Sequence, residues 1–61
     1  MKPVCKPVGE DGNIFNLLGR AVRALKTAGE SDKADEMTER VLQSRSYDEA
    51  LRAIMEFVEV E

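Results

Sequence analysis

Residues 13–29 read NIFNLLGRAVRALKTAG, and they predict one amphipathic helix with a marked start and a marked stop. Ile14, Leu18, Ala21, Val22, Leu25 and Ala28 recur at three- and four-residue steps, the spacing of a single helical face. Phe15 and Leu17 widen that face, while Asn16, Arg20, Arg23 and Thr27 run down the opposite side. Asn13 suits the N-cap, where its side-chain oxygen accepts from a first-turn amide, and Asp11 nearby favours the positive helix end. Gly29 suits the position just past the helix, and Lys26 lies in the last turn, where the dipole favours a cation. Gly19 interrupts the pattern at about 1 kcal/mol relative to alanine in an exposed helix interior. Either another backbone approaches closely there, within the fold or across a dimer, or the cost is simply tolerated.

Two further helices follow. Residues 32–43 form the second, with Ser31 or Asp32 at its start and Asp32 and Asp35 in its first turn. Its apolar stripe is narrow: Ala34, Met37, Val41 and, at its margin, Leu42. Glu36 and Arg40 stand four apart in the order that favours a surface pair. After Ser44-Arg45-Ser46 breaks the pattern, Ser46-Tyr47-Asp48-Glu49 matches a capping box: the serine hydroxyl accepts from the third helical amide and the glutamate returns to the cap amide. The third helix spans about 47–58, with Tyr47, Ala50, Leu51, Ile54, Met55, Phe57 and Val58 on its apolar side. The alternation in Phe57-Val58-Glu59-Val60-Glu61 fits a short strand as well as a helix end.

Upstream, residues 1–12 form an extended segment with a turn at Glu10-Asp11-Gly12. Pro3 and Pro7 lack backbone donors, so a strand at Val4–Val8 would lie at an edge, with the C-terminal tail as its obvious partner. The expected architecture is all-α: a compact three-helix domain over 13–61, helices at about 13–28, 32–43 and 47–58, and an extended segment over 1–12.

Composition limits the chemistry. The chain has 61 residues, no histidine and a single cysteine, Cys5. A chain this short buries about 60% of the surface its unfolded form exposes, and such a core supplies roughly 3–5 kcal/mol, leaving little room for a deep pocket. Histidine is the usual proton carrier near neutral pH and the commonest metal ligand. No carboxylate pair sits in an apolar setting that would shift its pKa, and Gly9-Glu10-Asp11-Gly12-Asn13 lacks calcium-loop spacing and the Gly-Lys-Ser/Thr of a phosphate loop. No catalytic residue, metal ligand, cofactor or small-molecule substrate is therefore expected. No apolar stretch approaches the ~20 residues of a membrane span. Met1-Lys2-Pro3-Val4 is followed by no apolar signal core, and the lone cysteine does not suit a disulfide scaffold; both point to the cytoplasm. Cys5 is expected to pack as a small apolar group or to sit reduced in the tail.

Charge is unevenly spread. Residues 1–29 hold Lys2, Lys6, Arg20, Arg23 and Lys26 against Glu10 and Asp11, whereas residues 30–61 carry a net −6 within the overall −3. Either the basic side chains neutralise acidic neighbours inside the fold, or the surface has two faces that orient a partner.

Val8-Gly9-Glu10-Asp11-Gly12-Asn13, Leu18-Gly19-Arg20, Arg23-Ala24-Leu25, Ala28-Gly29, Ser46-Tyr47-Asp48 and Val58-Glu59-Val60-Glu61 together resemble a family of short bacterial and phage- or mobile-element-associated proteins, across residues 4–61. The resemblance implies a self-contained unit from a prokaryotic setting. It carries over no catalytic or binding residue, since no activity is established for that family.

Two functions follow as expectations. The first is a non-enzymatic module that binds another protein or itself through Gly12, Asn13, Asn16, Arg20 and Arg23. The alternative is a weak nucleic-acid binder using Lys2, Lys6, Arg20, Arg23 and Lys26; the acidic second and third helices and the scarcity of aromatics count against it.

Overall fold

Helix α1, Ile14–Thr27, is closed at both ends by its own sequence. The Asn13 side-chain oxygen accepts from the Phe15 amide at 2.9 Å. At the other end Gly29 adopts a φ of +78°. That turn lets the Glu30 amide reach the Leu25 carbonyl at 2.8 Å and the Gly29 amide reach Lys26 at 3.0 Å, the paired bonds of a Schellman cap. These coordinates are a computed structural model that describes residues 2–5 and 13–60. The expected turn at Glu10-Asp11-Gly12, the candidate Gly12, the cation Lys6 and the Pro7-Val8 end of the extended segment lie outside the described residues.

Helix α2 covers Ser31–Leu42 and helix α3 Tyr47–Met55. Glu30, not Ser31, occupies the cap position of α2, and no side chain caps it. The Schellman turn explains the shift, because it delivers the chain to Glu30 already turned, and Ser31 becomes the first helical residue. At α3 the capping box is half formed as expected. The Ser46 hydroxyl accepts from the Glu49 amide at 3.1 Å, but the Glu49 carboxylate accepts from the Arg45 amide, one residue before the cap, also at 3.1 Å.

α3 is shorter than its apolar pattern suggests. It ends at Met55, Val58 turns into the core, and Glu59–Val60 become a strand, β2. The partner is β1, Val4–Cys5, in parallel register: Val4 opposite Glu59 and Cys5 opposite Val60. Parallel strands need a long crossover, which the three helices supply. Pro3 contributes its carbonyl, which accepts from the Glu59 amide at 2.8 Å, and with no amide of its own it ends the ladder there. The ammonium of Lys2 donates to the Met55 carbonyl at 3.0 Å, satisfying an orphan acceptor at the end of α3.

One apolar cluster joins the elements. Leu18, Ala21 and Leu25 of α1 meet Ala34, Met37 and Val41 of α2 and Ala50, Ala53 and Ile54 of α3, with Cys5 and Val58 closing the strand side. Leu17 is buried with them. Four residues expected among or beside the apolar stripes are exposed: Phe15, Leu42, Tyr47 and Met55. Ala28 is exposed as well, and Phe57 is half-buried. For Phe15 the reason is geometric, since a nine-residue α3 and a narrow α2 leave part of α1 uncovered; Leu42, Tyr47 and Met55 are the terminal residues of α2 and α3. Arg40 does not pair with Glu36. Its guanidinium reaches across to Glu56 with two bonds of 2.8 Å and lies 5.5 Å from the Phe57 ring centroid, tying α2 to the end of α3.

Candidate partner-binding groove

Asn16, Arg20 and Arg23 follow one another at helical spacing on the side of α1 turned away from α2 and α3, where all three are exposed. α1 packs its opposite side into the core through Leu18, Ala21 and Leu25, and that orientation leaves the two guanidinium groups outward. Two concavities meet at them. The first, of about 290 Å³, lies over Phe15, Asn16 and Gly19 and is bounded by Arg20 and Arg23. The second, of about 510 Å³, runs between the same arginines and the strand β1. Its strand wall is Pro3, Val4 and Cys5, and its helix wall continues through Ala24, Thr27 and Ala28.

The expected residues thus fall into two groups. Asn16, Arg20 and Arg23 come together on one surface. Asn13 stands at its foot, where it serves as the cap of α1. Composition and spacing gave no sight of Pro3, Val4, Cys5, Thr27 or Ala28 as lining residues. The only available signal was the edge-strand character of the Pro3 segment, which does not say which helix the strand lies beside.

Gly19 sits in the first concavity, and a Cβ built there meets nothing within 4 Å. Among the described residues, no backbone approaches Gly19 closely, so packing against them does not account for it. Phe15, one turn earlier on the helix, is 60% exposed, so an aromatic ring and a bare backbone lie side by side on the open surface.

Electrostatically the face is open. Among the described residues the ion pairs are Lys33–Glu30 at 3.1 Å and Arg40–Glu56 at 2.8 Å; Arg20, Arg23 and Lys26 join neither. Neutralisation within the described fold therefore does not explain the basic character of α1. On α2, Asp32, Asp35, Glu36 and Glu39, with Arg40 and Gln43, line a separate shallow groove of about 370 Å³, so among the described residues these carboxylates gather apart from Arg20 and Arg23. Of the five cations of the nucleic-acid reading, four lie among the described residues. Lys2 is held at the end of α3, Lys6 lies outside the described residues, and Arg20, Arg23 and Lys26 stay on α1.

Cys5 is buried at the base of the larger groove, as a small apolar group. Burial pushes its thiol pKa up, against a smaller opposite pull from the Arg20 guanidinium, so the protonated, unreactive form is favoured. Among the described residues no three His, Cys, Asp or Glu side chains converge to hold a metal ion, and no helix is long and apolar enough to cross a membrane. No family model, curated protein or solved structure matches this chain.

Proposed function

We propose that the chain is a non-enzymatic protein–protein interaction module that receives its partner on the α1–β1 surface, with Arg20 and Arg23 as the anchoring cations. One observation carries this reading: two outward guanidinium groups with no ion-pair partner among the described residues border two adjoining concavities, the larger of which is otherwise lined mainly by apolar groups of β1 and α1. Guanidinium binds carboxylates through two parallel hydrogen bonds, and an apolar lining adds burial; together they suit an acidic protein surface. A prokaryotic and cytoplasmic setting belongs to the same proposal, in keeping with a single unpaired thiol and with the sequence resemblance.

The test is affinity capture from a native lysate with the intact chain and with the double variant R20E/R23E. Both side chains are exposed, so the circular dichroism stays unchanged. Loss of the captured protein in the variant supports the surface, and retention refutes it.

Exposed Phe15 beside Arg20 and Arg23 favours a second reading, weak binding of a nucleic-acid strand by stacking and phosphate contacts. Affinity would then fall steeply with salt, and no binding of an oligonucleotide at low salt ends that reading.

A further inference from the structure

We propose that the partner segment is an extended acidic peptide of the form Glu-X-Glu, which adds to the outer edge of β1 and sets its two carboxylates against Arg20 and Arg23. This rests on the α1–β1 surface being the partner site, and it names the occupant.

The ladder to β2 fixes which backbone groups of β1 are engaged. Glu59 bonds to the Pro3 carbonyl, and Val4 lies opposite Glu59 in parallel register. In that pattern the groups of residues 3 and 5 face β2, so the N–H and C=O of Val4 face the other way. Among the described residues no third strand joins the sheet, so none of them pairs with this second edge. The 510 Å³ groove is lined by Pro3, Val4 and Cys5 of β1 but by no residue of β2, which places it along that second edge. Its volume is within the range of about 300–1,000 Å³ usual for ligand sites. An incoming strand finds a donor and an acceptor on Val4, and its side chains meet the helix wall of Arg20, Arg23 and Ala24.

The spacing matches a strand. Residues three apart on a helix have Cβ atoms about 5–6 Å from each other. Residues two apart on one face of a strand stand roughly 6.6 Å apart, so alternate carboxylates meet successive arginines. The residue between them points the other way along the pleat. A phosphate backbone would satisfy the arginines but offers no alternating amide donors for the strand edge, so the peptide is favoured. A second copy of this chain is a poorer occupant: its Glu59-Val60 is already bonded into its own β1, and Glu30, Asp32, Asp35 and Glu36 lie in or at the start of a helix.

The experiment is fluorescence anisotropy on the full chain with a labelled, end-blocked Val-Glu-Val-Glu-Val peptide. Two further peptides are N-methylated at alternate residues, one in each register. A Lys-for-Glu peptide and an oligothymidylate complete the set. Binding of the glutamate peptide is expected, weakened roughly tenfold or more by R20E or R23E. One N-methylated register should bind as weakly as the variants and the other should match the parent. Since the methyl groups are on the probe, this arm does not depend on any variant folding. Equal binding of both methylated peptides, equal binding of the lysine peptide, or tighter Arg-dependent binding of the oligonucleotide would each overturn the proposal. If the glutamate peptide fails to bind while R20E/R23E still abolishes lysate capture, the occupant is wrong and the surface stands. If capture also survives R20E/R23E, both are wrong.

Discussion

Two glycines of α1 and its cap behave in opposite ways, and the difference is legible only in part from the residues. Gly29 closes a helix pattern and is followed by a polar stretch, so its place as a terminator is plain in the sequence; the structure adds the positive φ that alanine would resist. Gly19 breaks the pattern without a visible reason, and its surroundings are open. Gly19→Ala should therefore stabilise the chain by about 0.5–1 kcal/mol, and Gly29→Ala should destabilise it by about 1–2 kcal/mol, both read by urea denaturation. Destabilisation by Gly19→Ala would mean that a surface approaches the helix there. The Arg40–Glu56 pair was not legible, because the nearer Glu36 satisfies the spacing rule for a helix surface while the partner chosen comes from another element. Hydrogen bonds from Arg40 hold the Glu56 carboxyl below the ordinary carboxylate range. Its contribution to stability is therefore complete above the unfolded carboxylate pKa of about 4.3 and is lost as pH falls through the lower folded value. Wild type should melt above Glu56→Gln at pH 7, and the gap should close in acid. A gap unchanged down to pH 2, or one widening in acid, would contradict the pairing.

At the scale of elements, the helices were readable wherever capping residues flank an apolar period. Asn13 and Gly29 bracket α1, and Ser46 opens α3, each with the backbone partner its chemistry requires. Ser46→Ala should cost about 1 kcal/mol, measured as a drop in the urea midpoint at unchanged slope. An unchanged midpoint would show that the Glu49–Arg45 contact alone holds the start of α3. The end of α3 was harder. Phe57 and Val58 continue the helical stripe, and only the alternation of the last residues hints at a strand. What settles the matter is tertiary: Val58 is needed in the core beside Cys5, and the ladder to β1 takes up the backbone groups that a longer helix would have bonded internally. Pairing between residues so distant in sequence leaves no local pattern, which is why β1 and β2 appeared only as alternatives in the sequence.

For the molecule as a whole, the division of labour follows from size. Three short helices and a two-residue strand pair can close one core around Leu25, Met37, Ile54 and Val58, and they leave part of α1 uncovered. The uncovered part keeps its arginines and an exposed phenylalanine, and the returning N-terminal strand adds the second wall of a groove. The polar row of Asn16, Arg20 and Arg23 was visible as a helical face; the wall of Pro3, Val4 and Cys5 was not, because it depends on where the ends of the chain meet. The account's central claim is that recognition happens on this basic α1–β1 surface. Its most direct test is amide chemical-shift mapping of the intact chain during titration with the protein recovered by capture. The account predicts that the largest shifts fall on Val4, Cys5 and the Phe15–Thr27 stretch, with the acidic residues Asp32–Glu39 of α2 unmoved. Shifts concentrated on α2, with Arg20 and Arg23 silent, would contradict it.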